Sequence, residues 1–306
     1  MFPTKILLAA DGSPGSDRAA RRATSLSKLL DSELHVALIG GGIPPSGTPY
    51  GWPPRDAHFE SWARETLERE TRERLEEQSR KIRAEGGEVS GAHARVGRPD
   101  VEILNLAEEL GAGLVVVGSR GFGRLKRAIL GSVSRDVLRH AHCAVLVVRG
   151  DQGDPLPGPV LVAVDGSKEA AEALEAGAQI SSATGAGLHV VHTIDPTAYM
   201  PYPGPETWED WQGDFERDTR AARSWVEQEA DRVRDGTKSV EAHLVVGEPG
   251  REVSRLAEDT GAGLVILGSR GLGGVRRMLL GSVSDFVVAH VPCSTMVVRT
   301  DAATDA

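Results

Sequence analysis

The sequence is poor in cysteine and in aromatic residues, and it has no long hydrophobic run. Of its 306 residues only two are cysteines, and 4% are aromatic. Two thiols cannot build the disulfide framework typical of small secreted domains, and no apolar stretch approaches the ~18 residues that a membrane-spanning helix needs. The first residues, MFPTKILLAADGS, contain an apolar run too short for a secretory signal. We therefore expect a cytoplasmic protein with no membrane partner.

Positive charge is also in deficit. The formal net charge is −9 at pH 7, and an acidic surface repels nucleic acids as well as anionic membranes. Two common nucleotide-binding signatures are absent, because the sequence contains neither G-x-x-x-x-G-K-[ST] nor G-x-G-x-x-G. We expect no nucleic-acid partner, and any nucleotide site must be built from a different motif.

The chain repeats itself with a period of about 150 residues, which is too long for a solenoid and indicates a duplicated globular domain. Residues 111–121 (GAGLVVVGSRG) and 261–271 (GAGLVILGSRG) are identical at nine of eleven positions, and LGSVS follows in both copies. The stretch between the copies, GDQGDPLPGP, is rich in Gly, Pro and Asp and is typical of an exposed linker. We place the first domain at 1–150 and the second at 159–300.

Short apolar runs alternate with helical segments in each copy, in the order βαβαβαβαβ. In the first copy we expect strands at 5–10, 34–39, 88–96, 114–117 and 145–148. Strands that alternate with helices predict right-handed crossovers and a parallel sheet with helices on both faces. The predicted fold class is α/β, with two repeated domains that each contain a five-stranded parallel sheet in the order 3-2-1-4-5.

We interpret Cys143 and Cys293, just before the last strand of each copy, as buried free thiols.

A glycine-spaced loop follows the fourth strand of each copy. The spacing is Gly118, Gly121, Gly131 and Ser132 in the first copy and Gly268, Gly271, Gly281 and Ser282 in the second. The missing Cβ of Gly118 admits a ligand to the backbone, Gly121 permits a positive φ, and Ser132 caps a helix whose free amides favour a phosphate. We interpret the loops as phosphate-binding, because each is basic and contains no acidic residue. The simpler alternative is that the glycines only serve turns and the arginines only solvate a short helix. The basic residues are Arg120, Arg124, Lys126 and Arg127 in the first loop and Arg270, Arg276 and Arg277 in the second.

Asp-Gly-Ser ends the first strand of each copy. Asp11 and Asp165 lie at strand ends near the switch point, where such sheets bind ligands. Ser13 and Ser167 occupy N-cap positions of the following helix. We interpret the aspartates as ligand contacts, although they could also only help to cap that helix.

These motifs, together with the closing strands CAVLVV and CSTMVV, resemble the universal stress protein family in its ATP-binding branch, with one family domain in each half of the chain. The resemblance implies a fold like that of the adenine nucleotide alpha hydrolases. It also implies that adenine is held by Asp11 with Ile39, and by Asp165 with Thr193. The residues that would bind ribose and phosphates are Gly118, Gly121, Gly131, Ser132 and Val133, and in the second copy Gly268, Gly271, Gly281, Ser282 and Val283. Gly113 and Gly263 depart from the acidic residue usual in the family, and neither belongs to the phosphate loop.

The resemblance further implies ATP as the cofactor, with Mg²⁺ or Mn²⁺ bound through its phosphates. We expect the two domains to pair as an intrachain pseudo-dimer, the chain to form a homodimer, and ATP to regulate an unknown protein partner in a stress response. The alternatives are slow ATP hydrolysis or phosphoryl transfer, and a scaffold that binds no nucleotide. The loops offer no evident base, so we assign no catalytic residue.

We also assign no metal-ligating residue, since the His140, His142 and Cys143 cluster is not kept in the second copy. We hypothesise that two segments rich in Gly, Pro and aromatic residues act as lids over the nucleotide. Their aromatic residues are Tyr50 and Trp52 in the first copy and Tyr199, Tyr202, Trp208 and Trp211 in the second.

Overall fold

The computed structural model describes residues 4–41, 57–119, 121, 130–150, 158–199, 208–271 and 280–300. The chain divides into two compact units, Pro3–Arg149 and Gly150–Ala306.

Within its described residues, the first unit contains five strands and four helices. The strands are β1 (Lys5–Ala10), β2 (Glu33–Gly41), β3 (Gly91–Gly97), β4 (Leu114–Gly118) and β5 (Ala144–Val148). The helices are α1 (Pro14–Leu29), α2 (Ala57–Ala84), α3 (Pro99–Leu110) and α4 (Ser132–His140). The order confirms the predicted alternation of strands and helices.

The second unit repeats this order in its described residues. Its strands are β6 (Val160–Ala163), β7 (Leu188–Ile194), β8 (Val240–Val246), β9 (Leu264–Gly268) and β10 (Ser294–Val298). Its helices are α5 (Lys168–Thr184), α6 (Trp208–Arg232), α7 (Pro249–Asp259) and α8 (Ser282–His290), and a short 3-10 helix (Pro196–Tyr199) follows β7.

The sheet of each unit is parallel and has the predicted order. In the first unit the strands lie in the order β3-β2-β1-β4-β5, and in the second in the order β8-β7-β6-β9-β10. The helices form two layers, because α1 contacts α2 whereas α3 contacts α4. The fold is therefore α/β with helices on both faces of each sheet.

The central strands are apolar because helices cover both of their faces. Ile6, Leu7 and Leu8 of β1 are completely buried. Cys143 and Cys293 lie immediately before β5 and β10, and they are buried and belong to no disulfide.

Helix starts follow the Asp-Gly-Ser prediction in both units. Ser13 is the N-cap of α1 and accepts a hydrogen bond from Ser16 N at 3.2 Å, and Ser167 caps α5 by accepting from Ala170 N at 3.2 Å. Such a cap satisfies one of the amides that a helix start leaves without an acceptor. The end of β1 is thereby joined rigidly to α1, and the end of β6 to α5.

The prediction for the third strand started too early, since β3 begins at residue 91 and not at 88. Its pairing with β2 starts where Gly91 lies opposite His35, so the residues before Ser90 have no partner on β2. Among the helices in the described ranges, none is both long enough and apolar enough to cross a membrane.

Candidate functional site

A cleft of about 530 Å³ opens in the first unit at the carboxyl ends of β1, β2 and β4. This volume lies in the range of about 300–1,000 Å³ usual for small-molecule sites. All seven candidate residues of the first copy line the cleft: Asp11, Ile39, Gly118, Gly121, Gly131, Ser132 and Val133. The structure thus collects residues that are up to 122 positions apart (133 − 11) in one place.

The strand order explains the position of the cleft. β1 and β4 are neighbours, but the chain leaves β1 towards β2 on one side and leaves β4 towards β5 on the other. Sheets of this type bind ligands at such a switch point because the loops diverge there and leave a crevice.

Asp11 is held in place by the start of α1. Its Oδ1 accepts a hydrogen bond from Ser13 N at 2.9 Å, and its own N–H donates to Ser16 Oγ at 3.2 Å. In the second unit, Asp165 Oδ1 accepts from Ser167 N at 3.0 Å. The aspartates therefore do support the helix start, and in the first unit the same residue also lines the cleft.

The carboxylate of Asp11 lies where a side chain on Gly121 would extend. A Cβ built on Gly121 would overlap Asp11 Oδ2, and a Cβ on Gly271 would overlap Asp165 Oδ2. The loop after β4 thus passes directly against the aspartate that ends β1, and the second unit repeats the contact.

Position 118 is glycine for a different reason from the ligand access that we expected. A Cβ on Gly118 would lie 2.9 Å from the carbonyl oxygen of Gly15, and one on Gly268 would lie 2.8 Å from Glu169 Cβ. The space that the missing Cβ leaves is filled by α1 in the first unit and by α5 in the second. These glycines allow close packing of a strand end against a helix.

Three hydrogen bonds close the two ends of the loop in the first unit. Ser119 N donates to Val148 O at 2.9 Å, Gly131 N donates to Ser119 O at 2.9 Å, and Ser134 Oγ donates to Gly118 O at 2.7 Å. The end of β4 is thereby tied to the start of α4, which sets the spacing of the loop.

The second unit closes its loop in the same way. Ser269 N donates to Val298 O at 2.8 Å, Gly281 N donates to Ser269 O at 2.8 Å, and Ser284 Oγ donates to Gly268 O at 2.7 Å. The sequence analysis missed Ser134 and Ser284, although the second serine of Gly-Ser-Val-Ser in both copies was the available signal.

The prediction that Ser132 caps the fourth helix is wrong. The N-cap of α4 is Gly131, with φ −61° and ψ 152°, and Gly281 is the N-cap of α8. Gly131 N is already engaged by Ser119, and its carbonyl accepts from Arg135 N at 3.0 Å, so Ser132 is displaced into the first helical position. Ser132 is exposed, lies outside the cap and lines the cleft.

The start of α4 offers amides to the cleft. The first N–H groups of a helix have no acceptor within the helix, and they carry the positive end of its dipole. Ser132 and Val133 are the first two residues of α4 and both line the cleft. An anionic group fits this end of the site.

Part of the cleft forms an apolar wall. Pro99 and Ile103 of α3 line it together with Ile39 and Leu130. Ile103 was not among the predicted site residues. A flat apolar ring fits against such a wall.

The two units differ in charge at the first turn of the fourth helix. Arg135 lines the cleft of the first unit, and its Nη2 donates to Leu130 O at 3.4 Å. Asp285 is the corresponding residue of α8. Among the described residues that line the cleft, Asp11 is the single carboxylate.

The remaining candidates of the second copy lie at matching places. Asp165 follows β6, Thr193 precedes the last residue of β7, and Gly268 ends β9. Thr193 is half-buried like Ile39, and it lies opposite Val245 of β8. Val283 is half-buried in the first turn of α8.

Several expectations concern residues outside the described ranges. These are the loop cations Arg120, Arg124, Lys126, Arg127, Arg276 and Arg277 and the aromatic residues Tyr50, Trp52 and Tyr202. Trp208 and Trp211 belong to α6, and Tyr199 ends the 3-10 helix. His140 contacts its own helix, with Nδ1 2.8 Å from Asp136 O.

Comparison with known proteins gives a match in both units. Residues 3–149 and 158–299 each match the family described as the universal stress protein family. A universal stress protein from Mycolicibacterium smegmatis is 31% identical over 300 residues, which is 96% of this chain and 96% of that protein. One from Mycobacterium tuberculosis is 29% identical over 313 residues, again 96% of this chain and 94% of the relative.

A solved structure has a similar fold. The crystal structure of a universal stress protein from Archaeoglobus fulgidus superposes with a TM-score of 0.69 at 26% identity, and it covers 98% of this chain and 99% of that one.

Proposed function

Since the chain belongs to the universal stress protein family in both of its units, we propose that it is a tandem universal stress protein that binds one ATP in each unit and responds to its occupancy. The observation that carries the proposal is the cleft at the switch point of the first sheet, which gathers all seven residues that the family resemblance assigns to ATP.

The phosphate end of the proposed site is the start of α4. Free amides of Ser132 and Val133 and the positive end of the helix dipole favour the polyphosphate. Gly121 keeps the loop against Asp11 without a side chain in the way. Mg²⁺ or Mn²⁺ would accompany the phosphates and would reduce their charge.

The adenine end is the apolar wall. Ile39, Ile103 and Pro99 offer a surface for the flat base, and Asp11 lies at the edge of the same cleft, where its carboxylate accepts hydrogen bonds. In the second unit Thr193 stands in place of Ile39 and brings a hydroxyl, so we expect a different base contact there.

The charge at the start of α4 supports a phosphate ligand in the first unit. A cation in the first turn of a helix opposes the helix dipole, whereas an acidic residue there is favourable. Arg135 therefore destabilises the start of α4 but would attract a polyphosphate. Asp285 stabilises the start of α8 but would repel a polyphosphate. We infer that the first unit binds ATP more tightly than the second.

Binding without efficient turnover is the expected chemistry. Phosphoryl transfer needs a residue that orients the nucleophile, and the single carboxylate among the described lining residues, Asp11, is already bound to Ser13 N. In this proposal ATP favours one conformation of the chain and thereby changes the surface offered to a protein partner, which requires different ATP affinities in the two states. We also propose a cytoplasmic location and a homodimer of two chains. Light scattering during gel filtration measures the number of chains per particle.

Isothermal titration with Mg·ATP tests the proposal directly. We expect two sites per chain, one in each unit. Gly121→Glu should remove the first and Gly271→Glu the second, because each adds bulk and negative charge where the phosphates would lie. Gly213→Glu is the matched control, since Gly213 is exposed on α6 with nothing within 4 Å of its added Cβ.

Two results would contradict the proposal: no binding by the folded wild-type chain, or unchanged stoichiometry in both loop variants. Phosphate release measured in parallel separates binding from catalysis. Repeated turnover that disappears in Gly121→Glu would make the chain an ATPase and replace the binding function.

A further inference from the structure

Three ligand-type side chains of the second unit meet near the amino ends of β7 and β8, at the opposite end of the strands from the switch point. His189 Nδ1 lies 2.8 Å from His243 Nε2. Glu241 Oε2 lies 3.7 Å from His189 Nδ1 and 4.0 Å from His243 Nε2. The sequence analysis assigned no role to any of these residues, because they are 54 positions apart at most (243 − 189) and follow no metal-site spacing.

Strand register brings the cluster together. His189 of β7 lies directly opposite Glu241 of β8, and Val191 lies opposite His243. Residues two apart on a strand point to the same face of the sheet, so the three side chains share one face. Their positions are set by backbone pairing, which keeps the ligand atoms in a fixed triangle.

We propose that His189, Glu241 and His243 bind one divalent transition-metal ion of the zinc class. Zinc bonds of about 2.0–2.2 Å to nitrogen and oxygen place neighbouring ligand atoms roughly 3.3 Å apart in tetrahedral geometry. The three distances of 2.8, 3.7 and 4.0 Å bracket this value. Two imidazoles with one carboxylate are a ligand set suited to zinc and to neighbouring first-row metals.

The burial of the three groups suits an open site. The side chains of His189 and His243 are 13% and 23% exposed, and that of Glu241 is 64% exposed. The imidazoles are therefore held by the fold, and the ion enters from the solvent beside the carboxylate.

The first unit contains the same histidine pair without the third ligand. His35 Nδ1 lies 3.1 Å from His93 Nε2, but Glu33 contacts the other ring nitrogen of His35, at 3.3 Å. The residue in place of Glu241 is Gly91, and a Cβ there would lie 2.5 Å from His35 Nδ1. The first unit is therefore a natural control with two imidazoles and no room for the carboxylate.

Titration of the chelator-treated full chain with Zn²⁺ at pH 7.5, without nucleotide, tests the site. We expect one Zn²⁺ per chain by calorimetry. Glu241→Gln and His243→Ala should each weaken binding at least about tenfold, because even outer-shell partners of a metal contribute 10–100-fold. Glu33→Gln and His93→Ala are the matched variants of the first unit and should leave stoichiometry and affinity unchanged.

Co²⁺ gives a second readout, since its visible absorption reports the ligand number, and Glu241→Gln should alter the spectrum. Circular dichroism checks that each variant folds, and Glu241→Gln changes only an exposed side chain. Absence of Zn²⁺ binding would overturn the proposal. So would two ions per chain with one lost in His93→Ala, because the histidine pair alone would then suffice.

Discussion

The carboxylate of Asp11 occupies the space that a side chain on Gly121 would need, and Asp165 has the same relation to Gly271. This contact joins the end of the first strand to the loop after the fourth strand, 110 residues later (121 − 11). It is present in both units, so it is a property of the repeated domain.

Gly121→Ala should destabilise the first unit, because the new methyl group must displace the Asp11 carboxylate. Gly121 and Asp11 are both exposed, so the cost should stay below the roughly 1–3 kcal/mol of overpacking in a closely packed core. In an Asp11→Ala background the same substitution should cost much less, and urea unfolding of the four members of the double-mutant cycle measures the difference. Equal costs in the two backgrounds would show that the contact is not the reason for the glycine.

Ser134→Ala should lower stability, while Ser132→Ala should not. Ser134 is buried, and its hydroxyl donates to Gly118 O, so its loss removes about 0.5–1.5 kcal/mol from the free energy of unfolding. Ser132 is exposed and outside the helix cap, so its variant should unfold like the wild type and show only weaker ATP binding. Chemical unfolding and ATP titration of both variants separate the two roles, and the reverse pattern would contradict the assignment.

Exchange of the charges at the start of the fourth helices should move stability and ATP affinity in opposite directions. Arg135→Asp should stabilise the nucleotide-free first unit slightly, because an acidic residue suits the helix start, and should weaken ATP binding about tenfold, or about 1.4 kcal/mol. Asp285→Arg should have the reverse effects in the second unit. Thermal melting without ATP and calorimetry with ATP measure them, and a parallel change of both quantities would argue against a phosphate beside Arg135.

His93 should make the first unit less stable in mild acid. Burial lowers its pKa from 6.5, and the charges of His35 and Arg95 act in the same direction against Glu109. As the pH falls below about 6.5, the unfolded chain takes up a proton that the folded chain still refuses, so stability decreases with falling pH until the pKa of the folded state is passed.

Urea unfolding with chelator present, at several pH values between 5 and 7.5, measures this effect. His93→Gln should lose less stability than the wild type over the range. Identical pH dependence of the two proteins would rule out the contribution of His93, and an NMR titration of the His93 ring gives its pKa independently.

Much of the fold could be predicted from the sequence because its signals are local. The strand β1 is a short apolar run, Ser13 directly follows the Asp-Gly pair, and the duplication is visible by comparing GSRG at 118–121 with GSRG at 268–271. The start of β3 was predicted three residues too early, because the strand begins only where β2 provides a pairing partner.

Only part of the candidate site could be predicted from the sequence. The glycines, the aspartate and the Gly-Ser-Val step share motifs, and the structure collects the first copy of them in one cleft. Ile103 looked like an ordinary core residue of α3, and Ser134 like one more serine. Their roles depend on the neighbours that the fold places beside them.

The sequence by itself determined the duplication, the α/β class and the motif residues, because each follows from periodicity or from short spacings along the chain. Only the tertiary structure decided which atoms lie against Gly118 and Gly121, which residue caps α4, and that His189, Glu241 and His243 meet. Those facts depend on distances between segments far apart in the sequence, and such distances are set by strand pairing and packing.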